Sequence, residues 1–195
     1  MTKASVQPGE LRELRHRFGP QINGLVNALG QPTTQVYPSG YVGTVERSIE
    51  TLESALTDGG FTWDPVSMYH RSPTGSTADG SWVYRDSPLA DRQLHVVLFS
   101  QSYNGWTDVY AHEEFSWLRH PIKHAKEERI TREEGVAETR RWLDDAGIAY
   151  RTHSNLRRKA RQAVKRAHER LVDGGRQLGH PKLETPAVSA VFERL

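Results

Sequence analysis

The chain contains no cysteine, which removes disulfides, thiolate zinc ligation, iron–sulfur clusters and thiol nucleophiles from its possible chemistry. Long apolar runs are missing too. None approaches the roughly 20 residues that a membrane-spanning helix needs, and the mean hydropathy is −0.69, so no membrane partner is expected. Residues 1–8 lack the apolar stretch of a secretory leader, which makes a cytoplasmic location the expectation. Strong catalytic signatures are also wanting. Gly40-Tyr41-Val42-Gly43-Thr44 puts two glycines before a helical pattern but lacks the lysine of a phosphate loop. Ser72 and Ser76 sit in a polar Pro/Gly segment with no nucleophile-elbow context. No zinc-finger, helix-turn-helix or aromatic RNA-binding pattern is present, and no cofactor is expected.

What the chain does have is charge segregation. The net charge of the 195 residues is +2, yet residues 151–176 gather nine Lys/Arg against only Glu169 and Asp173. Residues 1–150 carry fifteen Lys/Arg against twenty Asp/Glu, so one basic element is attached to a mildly acidic body. An excess this pure in sign, with few acidic residues at i±4 to form intrahelical pairs, points to an acidic partner, either nucleic acid or an acidic protein surface.

The length suits one domain with appendages. Leu11, Leu14 and Phe18, then Ile22, Leu25, Val26 and Leu29, recur at helical spacing, which gives an N-terminal helical arm over 1–43. The core domain spans 44–153. Thr44 reads as the N-cap of a helix with the stripe Val45, Ile49, Leu52 and Leu56, ending at Gly59-Gly60. Four strand-like segments follow, near Phe61–His70, Ser81–Arg85, Arg92–Gln101 and Trp106–Phe115, and their short connections make the sheet antiparallel. The capping-box pattern Thr131-Arg132-Glu133-Glu134 opens another helix with Val136, Trp142, Leu143 and Ala146 as its apolar positions. A short strand is expected at Ile148–Tyr150.

Ser154 caps the basic helix of the last segment, 154–195. Its stripe of Leu156, Ala160, Ala163, Val164, Ala167 and Leu171 is the docking face, and Arg157, Arg158, Arg161 and Lys165 point away, with Arg166 and Arg170 on a shoulder. A docking tail with Thr185-Pro186 as its cap pair and Val188, Val191, Phe192 and Leu195 as apolar positions closes the chain.

The third and fourth strands carry the second chemical feature. A two-residue Asn104-Gly105 turn sets His95 opposite Glu114 and Val97 opposite His112, on one sheet face that looks outward. His120 and His124 follow at the i, i+4 spacing that puts two imidazoles on one helical face, although Pro121 lies between them. The aromatic residues Trp63, Tyr69, Trp82, Tyr84, Trp106, Tyr110 and Trp117 around the sheet can pack in a two-sided core or stack bases.

The expectation is an α+β domain, with an antiparallel four-stranded sheet, helices largely on one face, an N-terminal helical arm and a basic C-terminal helix. Its element order is similar to that of small assembly proteins of tailed-virus particles, a likeness of order and not of residues. The function expected first is non-enzymatic binding or assembly, with no metal: Arg157, Arg158, Arg161, Lys165, Arg166 and Arg170 would touch nucleic acid or an acidic partner, and the chain could form homo-oligomers. The alternative is a metal-dependent hydrolase or nuclease that uses His95, His112, Glu114, His120 and His124.

Overall fold

Two ten-residue segments alternate strictly enough to dictate the centre of the molecule. In β4 (Arg92–Gln101), Leu94, Val96 and Leu98 take one face while Gln93, His95, Val97 and Phe99 take the other. In β5 (Trp106–Phe115), Val109 and Ala111 share the first face, and Asp108, Tyr110, His112 and Glu114 the second. The computed structural model describes residues 36–64, 70–73, 78–101, 105–160, 163 and 167. Within them it is an α+β fold built on an antiparallel sheet. The N-terminal helical arm and the C-terminal docking tail fall outside the described residues, apart from residues 36–43.

The sheet has six strands, not four, in the order β2-β3-β4-β5-β1-β6. Flanking the central pair are β1 (Tyr41–Val45), β2 (Thr62–Trp63), β3 (Gly80–Tyr84) and β6 (Tyr150–Arg151). The extra central strand is β1, which inserts between β5 and β6. Thr44 is therefore a strand residue, and the helix cap lies four residues later. Ser48 accepts from the Thr51 N–H at 3.4 Å and opens α1 (Ile49–Asp58). Val45, at the start of the helical stripe in sequence, is a fully buried strand residue instead. Both edge strands are two residues long, which leaves little unpaired backbone for another chain to extend.

The β4–β5 register differs from that set by a two-residue turn. Gln101 pairs with Trp106, so His95 lies opposite His112, Gln93 opposite Glu114, and Val97 opposite Tyr110. The shift is two residues. Because side chains alternate with period two, each one keeps its face.

On the apolar face, α1 and α3 (Arg132–Asp145) form one core with the sheet: Ile49, Leu52, Leu56, Val136 and Leu143 pack with Val42, Trp82, Val96, Leu98 and Val109. Each such aliphatic side chain stabilises by about 1.5–3 kcal/mol on burial. Phe61 and Trp142 meet edge to face at 5.1 Å between ring centroids. The residues Trp82 and Tyr110 are both buried, on opposite faces. Thr131 precedes α3 without making a side-chain cap. Its backbone pairs with Glu113 in an isolated bridge, and its hydroxyl donates to Glu113 Oε2 at 3.3 Å.

The second face is covered as well. Val36, Tyr41, Ala78, Val97, Phe99 and Tyr110 form a small apolar cluster there. A strap comprising residues 70–73 is tied down by Val36 N–H to Arg71 O and Ala78 N–H to His70 O, each at 2.9 Å. The polar half of this face thereby becomes interior.

Candidate metal centre

Three rows of side chains cross the second face. A hydrogen bond holds Arg85, just past the end of β3, to Gln93, which pairs with Glu114; the register then places Val83 beside His95 and His112, and Ser81 beside Val97 and Tyr110. The imidazoles and the carboxylate expected to face outward are buried: His95 is 0% exposed, Glu114 5% and His112 9%. An unpaired buried carboxylate costs several kcal/mol, so what surrounds Glu114 decides its state.

It is surrounded by nitrogen. Gln93 Nε2 donates to Glu114 Oε1 at 2.7 Å. His95 Nδ1 lies 3.3 Å from Oε1, and His112 Nε2 and His124 Nδ1 each lie 3.3 Å from Oε2. The two imidazole nitrogens are themselves 3.2 Å apart. On its far side, the His95 ring contacts Ser81 Oγ through Nε2 at 2.8 Å.

Protons can satisfy the group, with His95 Nδ1 and His112 Nε2 each donating to its own oxygen of Glu114, but this leaves the two nitrogens 3.2 Å apart as facing donors. A cation between them would accept both nitrogen lone pairs and the carboxylate. Donors bound to zinc at 2.0–2.1 Å in a tetrahedron stand about 3.3 Å from one another; the two imidazole nitrogens are 3.2 Å apart, and His95 and His112 each lie 3.3 Å from a different oxygen of the Glu114 carboxylate.

His70, on the strap, joins the group. Its ligand atom and those of His95 and His112 all lie within 4.8 Å of one another, and its ring centroid is 4.9 Å from that of His95. Nothing in the sequence around Tyr69-His70-Arg71 marks it, since it reaches the site through the strap and not through a strand register.

His124 and His120 part company. The helix α2 (Pro121–Ala125) forms with Pro121 in its first turn, and His120 is the non-helical cap before it, at φ −130°. His124 reaches Glu114 and also the Phe115 carbonyl at 3.2 Å. His120 turns to Asp91, with Nε2 2.6 Å from Oδ1, and it takes no part in the cluster.

The electrostatics divide the two paired histidines. Burial presses the pKa of His95 down, but the charge and hydrogen bond of Glu114 outweigh it and the net shift is upward. For His112 burial prevails over Glu114, and the shift is downward. Burial works to raise Glu114, yet the charge of His95 and the hydrogen bond from His112 hold it well below the usual carboxylate range.

Of the basic set, Arg157 is exposed and Arg158 is buried, at 6% exposure. The Arg158 guanidinium lies 3.9 Å over the Tyr41 ring, donates from Nη1 to the Tyr110 hydroxyl at 2.9 Å, and bonds Asn155 Oδ1 through Nη2. Leu156 is 80% exposed, and Ala163 and Ala167 are exposed too. The helix beginning at residue 155 thus turns an arginine toward the sheet, and the described members of the small-residue stripe, Ala160 excepted, face away. Arg161, Lys165, Arg166 and Arg170 lie outside the described residues.

Among known proteins, no family model, no curated protein and no solved structure matches this chain. Among the described residues, no helix is long and apolar enough to cross a membrane.

Proposed function

We propose that this is a metal-dependent hydrolase, in which His95, His112 and Glu114 hold one divalent transition-metal ion. The single observation behind this reading is the buried convergence of imidazole nitrogens and one carboxylate: ligand atoms of His70, His95 and His112 lie within 4.8 Å of one another, and His95 and His112 each lie 3.3 Å from an oxygen of Glu114. The donor set, nitrogen and carboxylate without thiolate, suits zinc and its first-row neighbours. Two histidines and one glutamate leave a coordination position for water, whose pKa the ion lowers toward neutrality. His70 is the neighbouring base that would accept the water's proton, and Ser81 would orient the His95 ring through its far nitrogen.

The test is metal content. The full chain, freed of metal and then exposed to zinc or cobalt, should bind one equivalent and gain thermal stability, and His112→Ala should lose both. A protein that takes up no zinc, cobalt or manganese and gains no stability from any of them would rule the reading out.

The charge segregation supports a second reading. We infer that the basic segment contacts nucleic acid, with Arg157, Arg161, Lys165, Arg166 and Arg170 as the phosphate-facing side chains. Arg158 is left out because Tyr41 and Tyr110 occupy it. Binding should weaken steeply with salt. Affinity for short DNA and RNA duplexes that is insensitive to salt, or unchanged on removing residues 161–195, would count against it. An acidic protein partner and a role in a homo-oligomeric assembly are the outcomes left if no nucleic acid binds.

A further inference from the structure

The Glu114 row of the sheet ends in hydrogen-bond donors that lack acceptors. Arg85 follows β3, and its Nε donates to Gln93 Oε1 at 2.8 Å, while the other end of the same amide donates to Glu114 Oε1 at 2.7 Å. These two bonds fix the orientation of the amide and leave Arg85 one side chain away from the carboxylate of the metal centre. The Arg85 guanidinium carbon is 5.7 Å from the centre of the Trp117 ring. Arg85 Nη2, Trp117 Nε1 and Ser116 Oγ are all buried, and none has a hydrogen-bond partner. The first two can only donate.

We propose that Arg85 and Trp117 form an oxyanion site beside the metal, which takes the carboxylate or phosphate group of the substrate. With Nε spent on Gln93, the guanidinium offers Nη2 to such a group, a charge-assisted donor, and the indole N–H of Trp117 is a second donor without an acceptor. Buried donors are almost always paired in proteins, and here the missing partner must be an acceptor. Because Gln93 links Arg85 to Glu114, an anion held there lies next to the ion and its water, as an anionic group flanking the scissile bond would.

Charge balance adds a condition. The carboxylates acting on Arg85 are Asp64 and Glu114, so without the ion two acids face one guanidinium, with His95 and His112 beyond them. A divalent ion reverses the local sign. Anion binding should therefore depend on metal loading, and by linkage the anion should tighten the metal. This inference rests on the metal reading, and the experiment separates the two.

The cobalt- or zinc-loaded full chain would be titrated with inorganic phosphate and, separately, with acetate, with metal content measured on the same samples. The expected result is saturable binding of one of them, weakened at least tenfold by Arg85→Met and about threefold by Trp117→Phe, with one equivalent of metal retained in both variants. Trp117→Phe keeps an aromatic ring while losing the N–H, so it serves if Arg85→Met folds poorly. The anion that binds more tightly identifies the acidic group of the substrate. If the loaded protein binds neither anion, or binds them equally in both variants as an adventitious ion only, the site is overturned while the metal reading stands. If no metal is taken up, the metal reading fails. Anion binding by the metal-free chain that both variants abolish would then uphold the Arg85–Trp117 anion site but overturn its dependence on metal, and its absence would end the site.

Discussion

Gly135 of α3 is pressed against the backbone of His112 so closely that a Cβ on the glycine would lie 2.4 Å from the His112 Cα and 2.5 Å from its carbonyl carbon. The helix on the apolar face thus supports, from behind, a strand residue whose imidazole serves the polar face. The contact is backbone against backbone, and no side-chain rotation can relieve an added methyl. Gly135→Ala should therefore destabilise the domain by about 1–3 kcal/mol or more, the usual cost of overpacking, and should weaken metal uptake by displacing His112. Chemical denaturation alongside a zinc titration checks both. Unchanged stability would show that α3 can shift without disturbing β5.

The histidines of the 118–126 segment make opposite predictions. His124→Ala removes a contact to Glu114 and should lower metal affinity by about 10–100-fold, the usual effect of losing a supporting group. His120→Ala removes a partner of Asp91 and an edge contact to the Phe115 ring, and no contact to Glu114, so it should leave metal affinity unchanged. Competition against a chromophoric chelator distinguishes them, and equal effects from the two variants would contradict the geometry.

Much of this site can be read from alternation alone. His95, His112 and Glu114 share a face in any register that differs by an even number of residues, so an incorrect turn length did not separate them. Their burial could not be read in the same way. It depends on the strap of residues 70–73, whose His70 ring packs against His95 and His112, and which is distant in sequence and carries no periodic signal. The same reason hides His70. The strand β1 was obscured by its neighbour, because Val45 completes a helical spacing with Ile49, Leu52 and Leu56 although it lies before the cap at Ser48. The side-chain stripe of the basic helix misleads for another reason: hydrophobic periodicity assumes an apolar dock, whereas Tyr41 and Tyr110 offer aromatic faces and a hydroxyl that suit an arginine.

In the metal-free protein, the pair Glu114 and His95 should leave a pH signature. Glu114 has a folded pKa held below its unfolded value of about 4.3. Its contribution is fully present above that pH and is lost as pH falls through the folded value. His95 has a folded pKa raised above its unfolded value of about 6.5. Its contribution is complete below that pH and is lost as pH rises through the folded value. The stability difference between the wild type and Glu114→Gln should therefore form a plateau between about pH 4.3 and 6.5 and decline on both sides. His112 is lowered by burial, which both proteins share, but Glu114 works to raise it, so in the difference it acts in the same sense as His95. Urea denaturation of both proteins across this range in the presence of a chelator measures it, and a difference independent of pH would show that Glu114 is not the partner of His95.

Arg158 should behave as a structural residue, in contrast to the arginines around it. Its cation–π contact with Tyr41 and its hydrogen bond to Tyr110 are both shielded from water, where such interactions contribute about 1–3 kcal/mol. Arg158→Met should destabilise the domain by about that amount and leave the salt dependence of nucleic-acid binding as it was. Tyr110→Phe removes the hydroxyl, so it should cost part of the same energy and add little to Arg158→Met, since the two changes break one bond. Arg157→Ala, at an exposed position, should do the reverse, with stability unchanged and affinity reduced. A double-mutant cycle for Arg158 and Tyr110, run with salt titrations of all four proteins, decides the matter. Additive losses, or a fall in the salt slope on Arg158→Met, would put Arg158 at the partner surface and not against the sheet.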